Sequence, residues 1–159
     1  SHMRKRFNVQ LELGAVPIEQ IEIPRSRDEE PPVIAALQWL FCHQEASEEV
    51  FELLEKHITP AQKKSGRKGM DLWTILVLGV LRLTLNCNYD RLHHHANYDS
   101  LCRQLLGQRA FDQSLKIGLS TIKENVSLLS DELLLEVSGV IAKHGHGLLQ
   151  KKTRKLISK

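Results

Sequence analysis

The sequence has few of the features that mark secreted or membrane-spanning chains. Its three cysteines, Cys42, Cys87 and Cys102, are odd in number and include no C-x-x-C pair, which argues against a disulfide framework. The basic start of the chain does not resemble a secretory signal. The longest apolar run, residues 72–85, is too short to cross a bilayer and contains Arg82. We therefore expect buried, reduced thiols in a cytoplasmic protein with no membrane partner.

The sequence also lacks the common catalytic motifs. The phosphate-binding loop, the HExxH zinc motif and the GxSxG nucleophile elbow are all absent. Nothing places two carboxylates on a sheet, as two-metal chemistry requires. Three consecutive histidines, His93, His94 and His95, point about 100° apart on a helix and cannot converge on one ion. We therefore predict no catalytic residue, no metal ligand and no cofactor in this chain.

Charge is distributed unevenly along the chain. Residues 12–55 contain eleven acids and two bases, a net charge of −9. Residues 56–123 contain eleven bases and four acids, a net charge of +7, and residues 143–159 contain six bases and no acid. An acidic first part followed by basic later parts indicates that one part of the surface binds a polyanion. The alternative is that solvated helix faces happen to segregate by charge.

The periodicity of apolar residues predicts an all-α, compact multi-helix bundle with helix-turn-helix-like elements. Alternation over residues 7–13, with a weaker run at 18–23, predicts a short N-terminal β-hairpin or extended arm before it. Helices are expected over residues 31–44, 47–58, 72–85, 89–96, 100–106, 120–129 and 131–144, with Ser47, Ser120 and Ser130 as caps. The domains expected are a cloning remnant at 1–3, an arm and linker at 4–30, a helical domain at 31–147 and a basic tail at 148–159.

Two stretches fit a helix-turn-helix, in which a polar first turn enters the major groove. One comprises residues 72–85, the turn 86–88 and the helix at 89–96, which carries Arg91 outward. The other comprises residues 100–106, a loop and residues 119–129, in which the polar side chains are expected to face outward. Their hydroxyl, amide and ammonium groups can bond phosphates or base edges.

Several segments resemble the N-terminal region of DDE-type insertion-sequence transposases, those related to the insertion sequence 5 family or its unclassified relatives. The segments are SGRKGMDLWTILVLGVLRL at 65–83, NYDRL at 88–92, RQLLG at 103–107 and STIKENVSLL at 120–129. The resemblance covers nearly the whole chain from Phe7 and depends on the order and spacing of these segments. It implies a helical domain that binds terminal inverted repeats in a bacterial, nucleoid-associated protein. Divalent metal would be needed only by a catalytic domain that the resemblance places downstream, beginning near Gly145.

The expected partner is double-stranded DNA, with a homodimer left open. The residues predicted to clamp phosphates are Lys63, Lys64, Arg67 and Lys68, with Arg91, Arg103 and Lys123 extending the contact. Those predicted to contact bases are Ser120, Thr121 and Asn125. The alternative interpretation is a helical dimerisation or protein-interaction module. Its surfaces would be the acidic helix at 45–55 and the alternating segment at 7–13, since an exposed strand invites pairing with another chain.

Overall fold

A computed structural model describes residues 5–7, 17–25, 28–58, 70–107 and 116–157 of the chain. Regular structure in these ranges is entirely helical, which confirms the predicted all-α bundle. After a short 3-10 helix at Ile18–Gln20 come α1 Glu30–Cys42, α2 Gln44–His57, α3 Leu72–Thr84, α4 Tyr89–Tyr98, α5 Ser100–Leu105, α6 Leu119–Val126, α7 Asp131–Lys143 and α8 Leu148–Ile157. No helix in these described ranges has both the length and the apolar character that crossing a membrane demands.

Helix α3 forms the centre of the bundle. Polar side chains occur only near its two ends, so the helix has no polar face. The helices α1, α2, α4, α6 and α8 all pack against it. Gly79 allows the closest approach, because a Cβ atom there would collide with the side chain of Leu129. Leu129 lies between α6 and α7, so this glycine sets how closely the end of α6 approaches the core.

Side-chain caps fix several helix starts. Asn88, Asp99 and Ser130 accept hydrogen bonds from the backbone N–H groups of the first turns of α4, α5 and α7. The prediction that Ser47 caps α2 is wrong: His43 Nδ1 accepts from Ala46 N at 3.1 Å. His43 directly follows the last residue of α1, so no loop separates the two helices. Ser120 is likewise not a cap, because Gly118 precedes α6 in an extended conformation.

The first described residues pack against the start of α3. The carbonyl groups of Lys5 and Arg6 accept hydrogen bonds from Leu72 N and Trp73 N, each at 2.9 Å. Phe7 packs against the rings of Phe41, Phe51 and Trp73. These contacts satisfy two of the N–H groups that every helix start leaves without an intrahelical partner.

Only part of the expected hairpin can be compared with the structure. Residues 8–16, which include most of its first strand, lie outside the described ranges. The second apolar run is not a strand, since Ile18–Gln20 forms a 3-10 helix. Ile18 and Ile21 share the buried face, as residues three apart do in such a turn, and Gln38 Nε2 donates to both of their carbonyl groups.

Two further expectations need correction. The residues assigned to a basic tail form α8, which packs on α7, α3 and α1, so the helical domain does not end at residue 147. Leu149 and Thr153 lie four residues apart and are both buried, which gives this basic segment an inward face. The thiol of Cys42 is exposed at the end of α1, whereas Cys87 and Cys102 are buried as expected.

Candidate nucleic-acid interface

The turn between α3 and α4 places Arg91 on the surface. Asn86 adopts a positive φ of 49°, a left-handed conformation that asparagine tolerates better than most residues. Asn88 Oδ1 then accepts from Arg91 N at 2.8 Å, which starts α4. The side chain of Arg91 is exposed in this first turn.

A second guanidinium group lies beside the same turn. Arg82, near the end of α3, is half-buried and lies over the ring of Tyr89 at 5.2 Å from its centroid. Burial raises the pKa of the Cys87 thiol, and the positive charges of Arg91 and Arg82 partly oppose that rise. Both guanidinium groups are therefore close enough to influence the turn electrostatically.

The side chain of Asn97 holds the backbone that leads into α6. This asparagine is 1% exposed, and its side chain forms a reciprocal pair of hydrogen bonds with Ile117. Asn97 Nδ2 donates to Ile117 O at 2.9 Å, and Ile117 N donates to Asn97 Oδ1 at 2.7 Å. Next to this pair, Lys116 Nζ donates to the exposed Tyr98 hydroxyl at 2.9 Å. The end of α4 and the start of α6 are thereby joined.

Helix α6 has one polar, exposed face. Ser120, Thr121 and Lys123 are all exposed, as predicted for a helix that contacts a partner through its first turns. The opposite face carries Ile122 and Val126, which are completely buried. Because α6 packs against both α3 and α4, its exposed residues and Arg91 belong to one three-helix unit.

The structure does not bring every predicted DNA contact to this surface. Arg103 is only 2% exposed, because α5 packs against α1 and α4. Asn125 is 8% exposed and its Nδ2 donates to the carbonyl of Thr121 at 2.7 Å. The prediction that these two side chains contact DNA does not fit their burial. The predicted phosphate clamp, Lys63, Lys64, Arg67 and Lys68, lies outside the described residues.

The acidic side chains of α2 form ion pairs within the fold, whereas several basic side chains of other helices are exposed. Helix α2 carries the acidic surface, and its carboxylates bind two cations: Arg6 contacts Glu48 and Glu55, and Lys143 contacts Glu49 at 2.7 Å. Several exposed cations of α4, α6 and α8 have no ion-pair partner among the described residues: Arg91, Lys123, Lys151 and Arg154. These charges remain available for an anionic ligand.

A polar cluster that was not predicted from the sequence lies behind α4. Of the three consecutive histidines, His94 is exposed, whereas His95 turns inward and its Nδ1 lies 3.3 Å from Glu30 Oε2. Asp99 completes the cluster. The Glu30 carboxylate raises the pKa of His95, while burial raises the pKa of Asp99 to about 6. The spacing of His95 and Asp99, four residues apart, was a visible signal, but nothing in the sequence indicated Glu30.

No family model, curated protein or solved structure matches the chain.

Proposed function

We propose that this chain binds double-stranded DNA through the exposed faces of α4 and α6. The observation that carries the proposal is that α4 and α6 pack against each other and that each carries an exposed cation, Arg91 or Lys123, with no ion-pair partner in the described ranges. Helix α6 also carries the exposed hydroxyl groups of Ser120 and Thr121. Arg6 and Lys143, in contrast, are bound to carboxylates of the acidic helix α2 and are less available.

The proposed division of work follows from side-chain chemistry. Arg91 and Lys123 would contact phosphates and release condensed counterions, which supplies affinity without regard to sequence. Ser120 and Thr121 can donate to or accept from base edges or phosphates, and they are the candidates for sequence discrimination. The predicted clamp at residues 63–68 would extend the phosphate contact beyond this surface. We therefore assign base contact to α6 and electrostatic anchoring to both helices.

The biological setting proposed is the DNA-binding domain of a bacterial transposase. The segments at 65–83, 88–92, 103–107 and 120–129 support it, since their order resembles the N-terminal region of those enzymes. The ligand would then be the terminal inverted repeats of a transposable element, and the protein would be associated with the nucleoid. Binding is the only step that we assign to this chain.

A protein-interaction module receives less support from the surface. The largest exposed apolar side chain among the described residues is Tyr98, at 48% exposure, and it contacts Lys116. A large contiguous apolar patch on the surface would mark an interaction site. The acidic helix α2, one of the two surfaces considered for that function, is already contacted by Arg6 and Lys143.

The proposal is tested by fluorescence anisotropy with a labelled random-sequence duplex in buffer containing a chelator. Affinity is measured between about 50 and 200 mM salt, where the logarithm of the binding constant falls linearly with the logarithm of salt concentration. Removing one phosphate contact lowers the magnitude of the slope by about one. We expect this change for Arg91→Ala and for Lys123→Ala, with weaker binding to all sequences.

Lys56→Ala is the matched control. Lys56 is an exposed cation on the acidic helix α2, so its removal changes net charge equally without touching the proposed surface. Equal losses in all three variants would mean that only net charge matters, and the assigned surface would be wrong. Absence of binding by the unaltered protein at low salt would remove the proposed function altogether.

A further inference from the structure

The polar cluster behind α4 gathers three potential metal ligands from separate parts of the chain. Glu30 begins α1, His95 lies in the last turns of α4, and Asp99 is the residue between α4 and α5. One ligand atom from each residue lies within 4.8 Å of the others. The side chains of Glu30 and His95 are only 15% and 18% exposed. The arrangement is therefore partly enclosed, yet reachable by a small ion.

The spacing of the two closest atoms fits a tetrahedral ion. A zinc ion binds nitrogen ligands at about 2.0–2.1 Å and carboxylate oxygens at about 2.0–2.2 Å, so two ligands of a tetrahedron are separated by about 3.3–3.5 Å. The distance between His95 Nδ1 and Glu30 Oε2 is 3.3 Å. The Asp99 carboxylate is near enough to become the third ligand after a small adjustment.

The same two atoms lack other partners. His95 Nδ1 and Glu30 Oε2 are buried, and apart from their 3.3 Å contact with each other neither has a hydrogen-bond partner among the described residues. Buried polar atoms of this kind are rare and call for an explanation such as an ion. Asp99 Oδ2 accepts from Cys102 N at 2.9 Å, which fixes the carboxylate and leaves its other oxygen for a ligand. A hydrogen-bonded carboxylate of this kind is an oriented metal ligand.

We propose that Glu30, His95 and Asp99 bind a divalent transition-metal ion of the zinc class. One imidazole and two carboxylates suit zinc, whereas calcium and magnesium favour all-oxygen sites. A water molecule would complete four-coordination. The ion would replace a repulsive contact between two carboxylates with attraction to a common cation, and it would connect the start of α1 to the junction of α4 and α5.

This inference departs from the sequence-based prediction that the chain contains no metal ligand. That prediction rested on the three consecutive histidines, which cannot converge on one ion. The proposed site uses only His95 of the three and recruits its partners from other elements. It is independent of DNA binding, which is measured in chelator.

The test is isothermal titration of chelator-stripped protein with zinc chloride, together with thermal unfolding with and without zinc. We expect one zinc ion per chain and a higher midpoint temperature when zinc is present, because an ion that binds only the folded state stabilises it. Glu30→Gln and Asp99→Asn preserve side-chain size, and asparagine can still cap α5. Each variant should lower the zinc affinity at least about tenfold, since even indirect partners of a metal site cost that much.

His94→Gln is the matched control, since His94 is the exposed neighbour of His95 on the same helix. It should bind zinc as the unaltered protein does. Two-dimensional NMR of the imidazole groups in the unaltered protein provides a readout that needs no variant: zinc should shift Nδ1 of His95 and leave His94 unchanged. Equal binding by Glu30→Gln, Asp99→Asn and the unaltered protein, or a zinc shift at His94 in place of His95, would overturn the proposal.

Discussion

Arg6 binds Glu55 through two parallel hydrogen bonds, Nη2 to Oε1 at 2.7 Å and Nε to Oε2 at 3.1 Å. A third bond joins Nη1 to Glu48 Oε2 at 2.8 Å, and the guanidinium carbon lies 5.8 Å from the centroid of the Phe51 ring. The carboxylates of Glu55 and Glu48 raise the pKa of Arg6. A single side chain thus secures the N-terminal residues to the acidic helix α2.

We expect Arg6→Ala to destabilise the fold by about 1 kcal/mol, the upper end for partly exposed ion pairs with bidentate geometry. The loss should shrink as salt is added, because screening already weakens the pair in the unaltered protein. Urea unfolding at two salt concentrations measures it. Arg6→Lys should recover only part of the loss, since an ammonium group cannot form the bidentate pair. Full recovery by lysine would show that charge alone matters.

Gly79 is expected to tolerate no side chain. Gly79→Ala places a methyl group against the buried side chain of Leu129, and overpacking of this kind costs about 1–3 kcal/mol. Gly139→Ala in α7 is the control, because its Cβ would meet only Gln150 at an ordinary 3.7 Å. That variant should be neutral or stabilise by up to about 1 kcal/mol through helix propensity. Equal effects of the two substitutions in thermal unfolding would contradict the packing described for Leu129.

The three cysteines should react in two classes. Cys42 is exposed, whereas Cys87 and Cys102 are buried, so a thiol reagent should label one site quickly and two only after opening of the fold. Burial first, and then the charge of Glu19, raises the pKa of Cys42, which slows its labelling at neutral pH relative to a free thiol. Mass spectrometry of timed labelling identifies the sites. Fast labelling of Cys102 in the native protein would contradict its burial.

The ion pair between α2 and α7 should be visible in an acid titration. Lys143, and then His144, lowers the pKa of Glu49 below its ordinary value. Because the folded pKa is lowered, the stabilising effect of the pair is present above the unfolded pKa of Glu49 and is lost as pH falls through the folded pKa. Carboxyl carbon NMR should give a midpoint below 4.5 that rises in Lys143→Gln. Lys56→Gln, which leaves the contact intact, should not move it.

Local sequence signals predicted most helix positions but not which side chains face inward. The apolar run of α3, the Asn88 turn and the Ser130 cap lie where the sequence placed them. The inward position of Arg103 depends on α1 and α4 packing around α5, and that arrangement leaves no trace in local periodicity. The sequence of a short polar helix does not show which face is buried, because the neighbouring helices determine it. This is why two of the residues predicted to contact DNA, Arg103 and Asn125, are buried.

Long-range pairing was likewise inaccessible from the sequence. Glu30 and His95 are separated by 65 positions, yet their side chains meet because α5 packs against both α1 and α4. Likewise, the docking of Phe7 among aromatic rings depends on three distant segments. Such contacts become predictable only once the order of helices in the bundle is known.

The junction at His43 has a consequence for tolerance to changes in chain length. One residue both ends α1 and starts α2, so the phase of the acidic helix follows directly from the helix before it. A single inserted residue would rotate the following helix by about 100°. Val50 and Leu54 would swing toward solvent and glutamates would turn toward the hydrophobic interior. The connection between α1 and α2 is therefore rigid, and an insertion there would be far more damaging than a substitution.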